Sequence, residues 1–338
     1  MSPMHPMRTR KLGTYDVTAV SFGCMNLSHA YGPPQPRDVA EQVLHRALDI
    51  GVTHFDTAAL YGFGANEKLV GEVLARRPDN VIIASKCGLF GRDGKRVIDG
   101  RPESIREICE ESLRNLKTDR IDLYYLHRWD KRIPIEDSVG AMADLLRAGK
   151  IRAIGLSEVG AATLRRAQAV HPISALQSEY SLWTRNPDIA VLEECRRLGI
   201  TLVAFSPLGR GFLTGTLRSP AELAASDIRL TMPRFQPPNF DENSRLLAPL
   251  DALAARLGCT RAQLALAWVL SRGDHVIVIP GTTKVTHLEE NCGADAIRLD
   301  AATLAQLDAV LPQGRASGAR YPPATQVEND TEEIGQSA

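Results

Sequence analysis

The stretch Ile105-Arg-Glu-Ile-Cys-Glu-Glu-Ser-Leu-Arg-Asn-Leu-Lys-Thr-Asp-Arg-Ile-Asp-Leu-Tyr-Tyr-Leu-His127 decides how the chain is read. Ile105, Ile108, Cys109, Ser112 and Leu116 recur at helical spacing and trace one face. After a charged break, Ile121–Leu126 is a short, mostly apolar run, which suits a strand covered on both sides. Polarity returns at His127. One helix, one turn, one buried strand and a polar residue at the strand's end make a repeating unit rather than an isolated motif.

The same unit recurs on both sides. Apolar runs fall at Val20–Met25, Val52–Phe55, Val81–Ala84, Ile151–Leu156, Ile173–Leu176, Leu202–Phe205 and Val276–Ile279. Helical stripes lie between most of them, as at Val39, Val43, Ala47 and Ile50, and again from Leu246 to Leu257. Eight strands alternating with helices imply parallel pairing through right-handed crossovers. The expected fold class is α/β, a (β/α)8 TIM barrel with active-site loops at its C-terminal rim. An open doubly wound sheet is the alternative, and no GxGxxG follows the first run to support it. Arg8–Ala19 is expected to form an N-terminal β-hairpin closing the barrel bottom, and Gly209–Asn239 a long functional connection. No linker separates unlike halves, so residues 1–338 are read as one domain with a core of about 10–325. The polar tail 329–338 is expected to be frayed.

Composition narrows the function. An apolar content of 44% is too high for a disordered chain. Forty Lys plus Arg balance forty Asp plus Glu, and zero net charge argues against a nucleic-acid or membrane partner. No apolar segment reaches the roughly 18 residues of a membrane span, and Met1–Arg10 lacks a signal-peptide core. Six scattered cysteines without a CxxC pair argue against zinc and predict reduced thiols in a cytoplasmic protein.

The chemistry is read where each strand ends. Asp56, Lys86 and His127 follow three neighbouring runs, and Tyr61 lies on the loop just beyond Asp56. Each has a bland reading: a cap, a rim cation, a packed histidine, a packed tyrosine. Convergence on one rim favours a cluster that protonates a carbonyl oxygen. A tyrosine pKa near 10 is high for acid–base work, and a neighbouring Lys86 cation is expected to lower it. Asp56 then holds Lys86, and His127 orients the reacting oxygen. Such a group supplies no electrons, so a reduced cofactor is required. Pro280-Gly-Thr-Thr-Lys284, before a helix, suits a phosphate through its glycine, hydroxyls and helix N-terminal amides. Ser206-Pro-Leu-Gly-Arg-Gly211 suits a second wall.

These segments resemble the aldo-keto reductase superfamily. The likeness runs through Gly51–Gly62, Asn66-Glu67, Ala84–Lys86, Asp122–His127, Gly149–Ser157, Leu176–Ser181, Phe205–Gly209, Ile279–Gly281 and Leu288–Asn291. The phrasing around Pro134–Met142 and Ser206–Leu213 resembles the bacterial, yeast and plant branch called pyridoxal reductase-like or auxin-induced-like. The resemblance implies reduction of aldehydes or ketones with NADPH, NAD being the alternative cofactor. It makes Tyr61 the general acid, Lys86 its modulator, Asp56 the support of Lys86, and His127 the orienting group. It implies carboxamide contacts from Ser157 and Gln177 and ring stacking on Phe205. Pyrophosphate and ribose would meet Ser206, Pro207, Leu208, Gly209 and Arg210. The adenosine end would meet Gly281, Thr282, Thr283, Lys284, His287, Glu290 and Asn291. Glu158 departs from the family's Asn and puts one carboxamide contact in question.

Three other functions compete. A Schiff-base aldolase would use Lys86. A metal hydrolase would start from His54 and Asp56, yet further ligands are missing and no metal is expected. A regulatory subunit would use bound NADP as a redox sensor. The partner is expected to be a small carbonyl compound, with the oligomeric state open. Tyr31, Phe90, Trp129, Phe212 and Phe235 suggest an aromatic pocket wall, and Arg92, Lys95 and Arg128 could accept an anionic substrate, although solvated surface charge is the favoured reading.

Overall fold

The computed structural model describes residues 7–335. Eight strands form its central sheet: β1 (Phe22–Gly23), β2 (His54–Asp56), β3 (Ile82–Cys87), β4 (Leu123–Leu126), β5 (Ile154–Ser157), β6 (Ala175–Glu179), β7 (Thr201–Phe205) and β8 (Val276–Val278). All neighbours pair in parallel and in sequence order. A parallel bridge between Val20 and Val278 joins the last strand to the first, with the Ser21 amide donating to Val278 O at 2.9 Å. The sheet is therefore a (β/α)8 barrel, and each of the eight apolar runs supplies one of its strands.

Period-two alternation divides the side chains between two cores. Ile83, Tyr124, Leu126, Leu176 and Leu202 face the surrounding helices. Ile82, Ala84, Leu123, Tyr125, Ala175, Val203 and Ile277 fill the barrel interior. The hairpin Thr9–Leu12/Tyr15–Thr18 adds Leu12 and Val17 to that interior and plugs the bottom. The Arg10 guanidinium fixes the plug by donating to Leu270 O at 3.0 Å and Gly273 O at 2.7 Å.

The helical stripes also form, although helix Arg37–Asp49 buries Ala40, Val43, Leu44 and Ala47 and leaves Val39 off the core. Helix Pro102–Leu116 buries Ile105, Ile108, Cys109, Ser112 and Leu116. It lies so close to helix Ala65–Val73 that a Cβ on Gly71 would sit 2.5 Å from the Leu116 backbone. Gly209–Asn239 contains no long element, only 3-10 turns at Phe212–Thr214, Pro220–Glu222, Ile228–Thr231 and Pro233–Phe235. One antiparallel hairpin was not foreseen, Leu89–Arg92 with Lys95–Ile98. Its turn holds Asp93 and Gly94 at φ 51° and 71°, the pair of positive values that a two-residue Asp-Gly turn demands.

The tail departs from expectation. Asn329 and Thr331 are buried, and the Asp330 amide donates to Glu158 O at 2.9 Å. Glu332 Oε1 accepts from the Ala161 amide at 2.7 Å, at the positive end of helix Ala161–Val170. Residues 329–333 are thus docked, because their carboxylates satisfy helix amides that would otherwise lack partners. The remainder of the expected frayed segment, 336–338, lies outside the described residues, as do residues 1–6. No described helix is long and apolar enough to cross a membrane.

Candidate active site

The alternation that fills the barrel also aims its top layer. Lys86 stands above Ala84 and Ile82 on β3, Gln177 above Ala175 on β6, and His127 follows Tyr125 past the end of β4. Asp56 ends β2 on the same level. The four tetrad candidates therefore meet over the interior core. Lys86 Nζ pairs with Asp56 Oδ1, donates to Thr57 O at 2.7 Å and lies 3.3 Å from the Tyr61 hydroxyl. Gln177 Nε2 donates to the other Asp56 oxygen at 2.7 Å. The Tyr61 ring meets His127 edge-on at 5.8 Å and stacks on His29 at 6.0 Å.

The loop bearing Tyr61 is clamped by Asn66. Its amide donates to Cys24 O and Ser28 Oγ, both at 2.9 Å, and its oxygen accepts from Thr57 Oγ1 at 2.6 Å. Glu67 beside it accepts from Ser85 Oγ and from Asn115 at 3.1 Å, tying helix Ala65–Val73 to β3. The Asn66-Glu67 pair thus acts as scaffold for the cluster.

Burial and charge set the protonation states. Burial opposes the Lys86 cation, but Asp56 and then Tyr61 outweigh it and hold the lysine pKa above its ordinary value. Burial pushes the Tyr61 phenol up, and the Lys86 cation pulls it back only in part. This reverses the expected net lowering: Asp56 neutralises much of the lysine's field, and desolvation then wins. Tyr61 is left protonated and able to donate. Burial, with Lys86 and Arg128, holds the His127 pKa well below that of an ordinary imidazole, so the ring is neutral near pH 7.

A cavity of about 680 Å³ opens above the cluster. It is lined by Asp56, Tyr61, His127, Ser157, Gln177, Phe205, Ser206, Pro207, Leu208, Arg210, Gly281, Thr282, Thr283, Lys284, His287, Glu290 and Asn291. Lys86 lies behind this wall at 0% exposure, and Gly209 turns away against Trp183. At the far end, helix Val285–Gly293 starts without a side-chain cap, beside the exposed Lys284. Uncapped amides, a cation and two threonines fit a phosphate-bearing nucleotide. Across the groove, Ser206 and Arg210 adopt left-handed backbone conformations at φ 48° and 57°, which curl the loop into a second wall. Phe205, only partly buried at the strand end, fits a flat heteroaromatic ring.

Glu158 faces away from that groove. Its Oε1 accepts from the Glu179 amide at 2.8 Å, and its Oε2 pairs with Arg320 at 2.5 Å. Glu179 pairs in turn with Arg210 at 2.9 Å and accepts from Tyr321 at 3.1 Å. Arg210, expected to face pyrophosphate, is committed to this buried network, since a carboxylate there outcompetes open solvent for its guanidinium.

Other expectations also change. Tyr31 lines the cavity, whereas Phe90, Phe212 and Phe235 are core residues and Trp129 packs beside the core. Aromatics in a loop gain most by burial, and Phe212 stacks on Trp183 at 4.1 Å. Arg92 and Lys95 remain at the surface, while Arg128 is buried and lines the cavity. Arg96 lines the cavity from Leu89–Asp99, a segment expected to border the pocket, whereas Asn26, Arg320 and Tyr321 were missed and nothing local marks them. All six cysteines are free, five of them buried, and no group of three metal-binding side chains exists among the described residues.

Comparisons with known proteins agree with this geometry. A profile described as the Aldo/keto reductase family matches residues 19–312. A probable aldo-keto reductase 1 from Glycine max is 43% identical over 316 residues, covering 92% of this chain and 91% of that protein. The aldo-keto reductase yakc of Schizosaccharomyces pombe, whose name specifies NADP(+), is 42% identical over 322 residues, covering 93% and 94%. Among solved structures, the glycerol dehydrogenase AKR11B4 from Gluconobacter oxydans aligns with a TM-score of 0.83 at 29% identity, covering 95% of this chain and 99% of that one. The holo form of AKR11C1 from Bacillus halodurans aligns at 0.77 and 27% identity, covering 94% and 99%.

Proposed function

We propose that this chain, which belongs to the aldo/keto reductase family, reduces small aldehydes or ketones to alcohols with NADPH and uses Tyr61 as the proton donor. The observation that carries the reading is Lys86 Nζ held between Asp56 and Tyr61 at the floor of a cavity that runs on to the Lys284 end. NADPH, when bound, supplies the hydride. Thr282, Thr283, Lys284 and the following helix amides would hold its phosphates, Phe205 its ring, and Ser157 with Gln177 its carboxamide. Gln177 Nε2 is engaged with Asp56, so its oxygen is the atom left to accept.

The chain's own groups account for the proton. Neutral His127 and protonated Tyr61 both offer hydrogens to a carbonyl oxygen placed between them. As Tyr61 gives up its proton, Lys86 stabilises the tyrosinate that forms, and Asp56 keeps Lys86 charged and fixed. A lysine held protonated by three acceptors is poorly suited to Schiff-base attack, which weighs against the aldolase reading. We take residues 1–338 as one barrel domain and its free thiols as support for a cytoplasmic location.

The test is NADPH oxidation with 4-nitrobenzaldehyde, methylglyoxal, pyridoxal and glyceraldehyde phosphate, comparing wild type with Tyr61→Phe, and NADPH with NADH. Turnover by the wild type and its loss in a variant that still binds NADPH is the expected result. If both proteins bind NADPH and neither turns over any carbonyl, the reading fails and the redox-sensing alternative replaces it.

A further inference from the structure

The arginines around the cavity are not equivalent. Arg96, Arg210, Arg229 and Arg261 each hold a carboxylate, from Glu328, Glu179, Asp227 and Asp251 respectively. Arg128, which directly follows His127, lines the same cavity at 9% exposure and has no carboxylate within 4.0 Å among the described residues. Its Nη1 donates to His127 O at 2.7 Å and to Ser157 Oγ at 3.3 Å, both neutral acceptors. Its Nε and Nη2 make no hydrogen bond to described residues, and neither is sealed from the cavity.

An arginine cannot relieve burial by losing its proton, so this charge persists. A buried cation without an anion is costly, and such a group is retained where something else supplies the anion. The nucleotide phosphates do not, because their loops follow β7 and β8 while Arg128 follows β4 on the other side of the barrel. The remaining edge, Nε with Nη2, is the two-donor fork that matches a carboxylate. Its field reaches both Tyr61 and His127.

We propose that Arg128 anchors a carboxylate of the substrate, making the preferred substrates carbonyl compounds that bear a carboxylate group. This assignment rests on the carbonyl-reductase reading above. It makes Arg128 a specificity-determining residue, distinct from the groups that move the proton.

The experiment compares 2-, 3- and 4-carboxybenzaldehyde with their methyl esters, in wild type and in Arg128→Gln and Arg128→Lys. The wild type prefers at least one acid over its ester, chiefly through KM, and Arg128→Gln lowers kcat/KM on that acid at least about tenfold more than on the ester. Arg128→Lys restores part of the preference. Dissociation constants for NADPH, and for benzoate against benzamide on the NADP-bound protein, are measured alongside by titration calorimetry. Equal losses on acid and ester, with weaker NADPH binding, would instead make Arg128 a support for Ser157 and overturn the proposal. Ester reduction with no acid preference also overturns it and leaves the reductase reading standing. If no carbonyl is reduced but benzoate binding depends on Arg128, the reductase reading fails and the carboxylate anchor survives.

Discussion

Glu158 and Arg320 stand 162 residues apart in the chain and meet in a 2.5 Å ion pair with almost no solvent exposure on either side chain. The pair belongs to a network with Glu179, Arg210 and Tyr321 that fastens the C-terminal segment across the ends of β5 and β6. Those two strands also carry Ser157 and Gln177, so the network fixes the wall expected to hold the cofactor's carboxamide.

Removing one member of this pair should be far more damaging than removing both. Arg320→Met leaves two carboxylates facing a buried space, and the expected loss is about 3–5 kcal/mol. Glu158→Gln with Arg320→Met removes one charge of each sign and should recover part of that loss. Urea unfolding midpoints for the single and double variants decide the matter, and equal destabilisation would show that the unpaired Glu158 charge adds nothing to the loss of Arg320.

The protonation states at the cluster predict a flat pH dependence near neutrality. His127 titrates well below its ordinary value and Tyr61 above its own. Neither group changes charge between about pH 6 and 9, so kcat/KM for carbonyl reduction should hold across that range. At higher pH the phenol loses the proton it must donate, and the rate falls. Lys86→Met removes the cation that stabilises tyrosinate, which should lower kcat by roughly 10²–10⁴ and move the alkaline limb upward. An acid limb near pH 6.5 would mean that His127 ionises and would contradict the burial argument.

Cofactor choice should depend on Lys284. It is exposed beside the uncapped start of helix Val285–Gly293 and makes no ion pair among the described residues. Lys284→Met should weaken NADPH binding about tenfold while changing NADH binding little, because only the former carries the extra phosphate. Fluorescence titration with both nucleotides measures the ratio, and parallel losses would place the 2′-phosphate elsewhere.

The barrel and the cluster were legible for the same reason. A strand buried on both faces reads as an apolar run, and period two fixes which residue stands above the interior layer, so Asp56, Lys86, His127 and Gln177 follow from local sequence. The Asp93-Gly94 hairpin carried an equally local signal that went unread. Arg320, Tyr321 and the docked tail were not legible, because their partners Glu158, Glu179 and Ala161 lie far away in the chain. Arg128 was misread for a related reason. A residue just past a strand end looks the same in sequence whether it turns to solvent or into the cavity. Phe212 and Phe235 show the converse, since the long loop folds back on Trp183 and makes a core of what looked like a pocket wall.

His54 gives the protein a second pH dependence, this one in stability. It points into the barrel beneath the cluster at 0% exposure, and neither ring nitrogen has a hydrogen-bond partner among the described residues. Burial lowers its pKa to about 4, against the opposing pull of Asp56. The unfolded chain takes up a proton near pH 6.5 that the folded chain refuses until about pH 4. Stability from this residue is therefore complete above pH 6.5 and is lost as the pH falls through that window, by about 3 kcal/mol in total. His54→Leu keeps an apolar side chain of similar size, sacrifices no hydrogen bond, and should flatten the unfolding free energy between pH 6.5 and 4. Denaturant unfolding at half-unit pH intervals compares the two proteins. An unchanged slope in the variant would assign the acid sensitivity to the buried carboxylates instead.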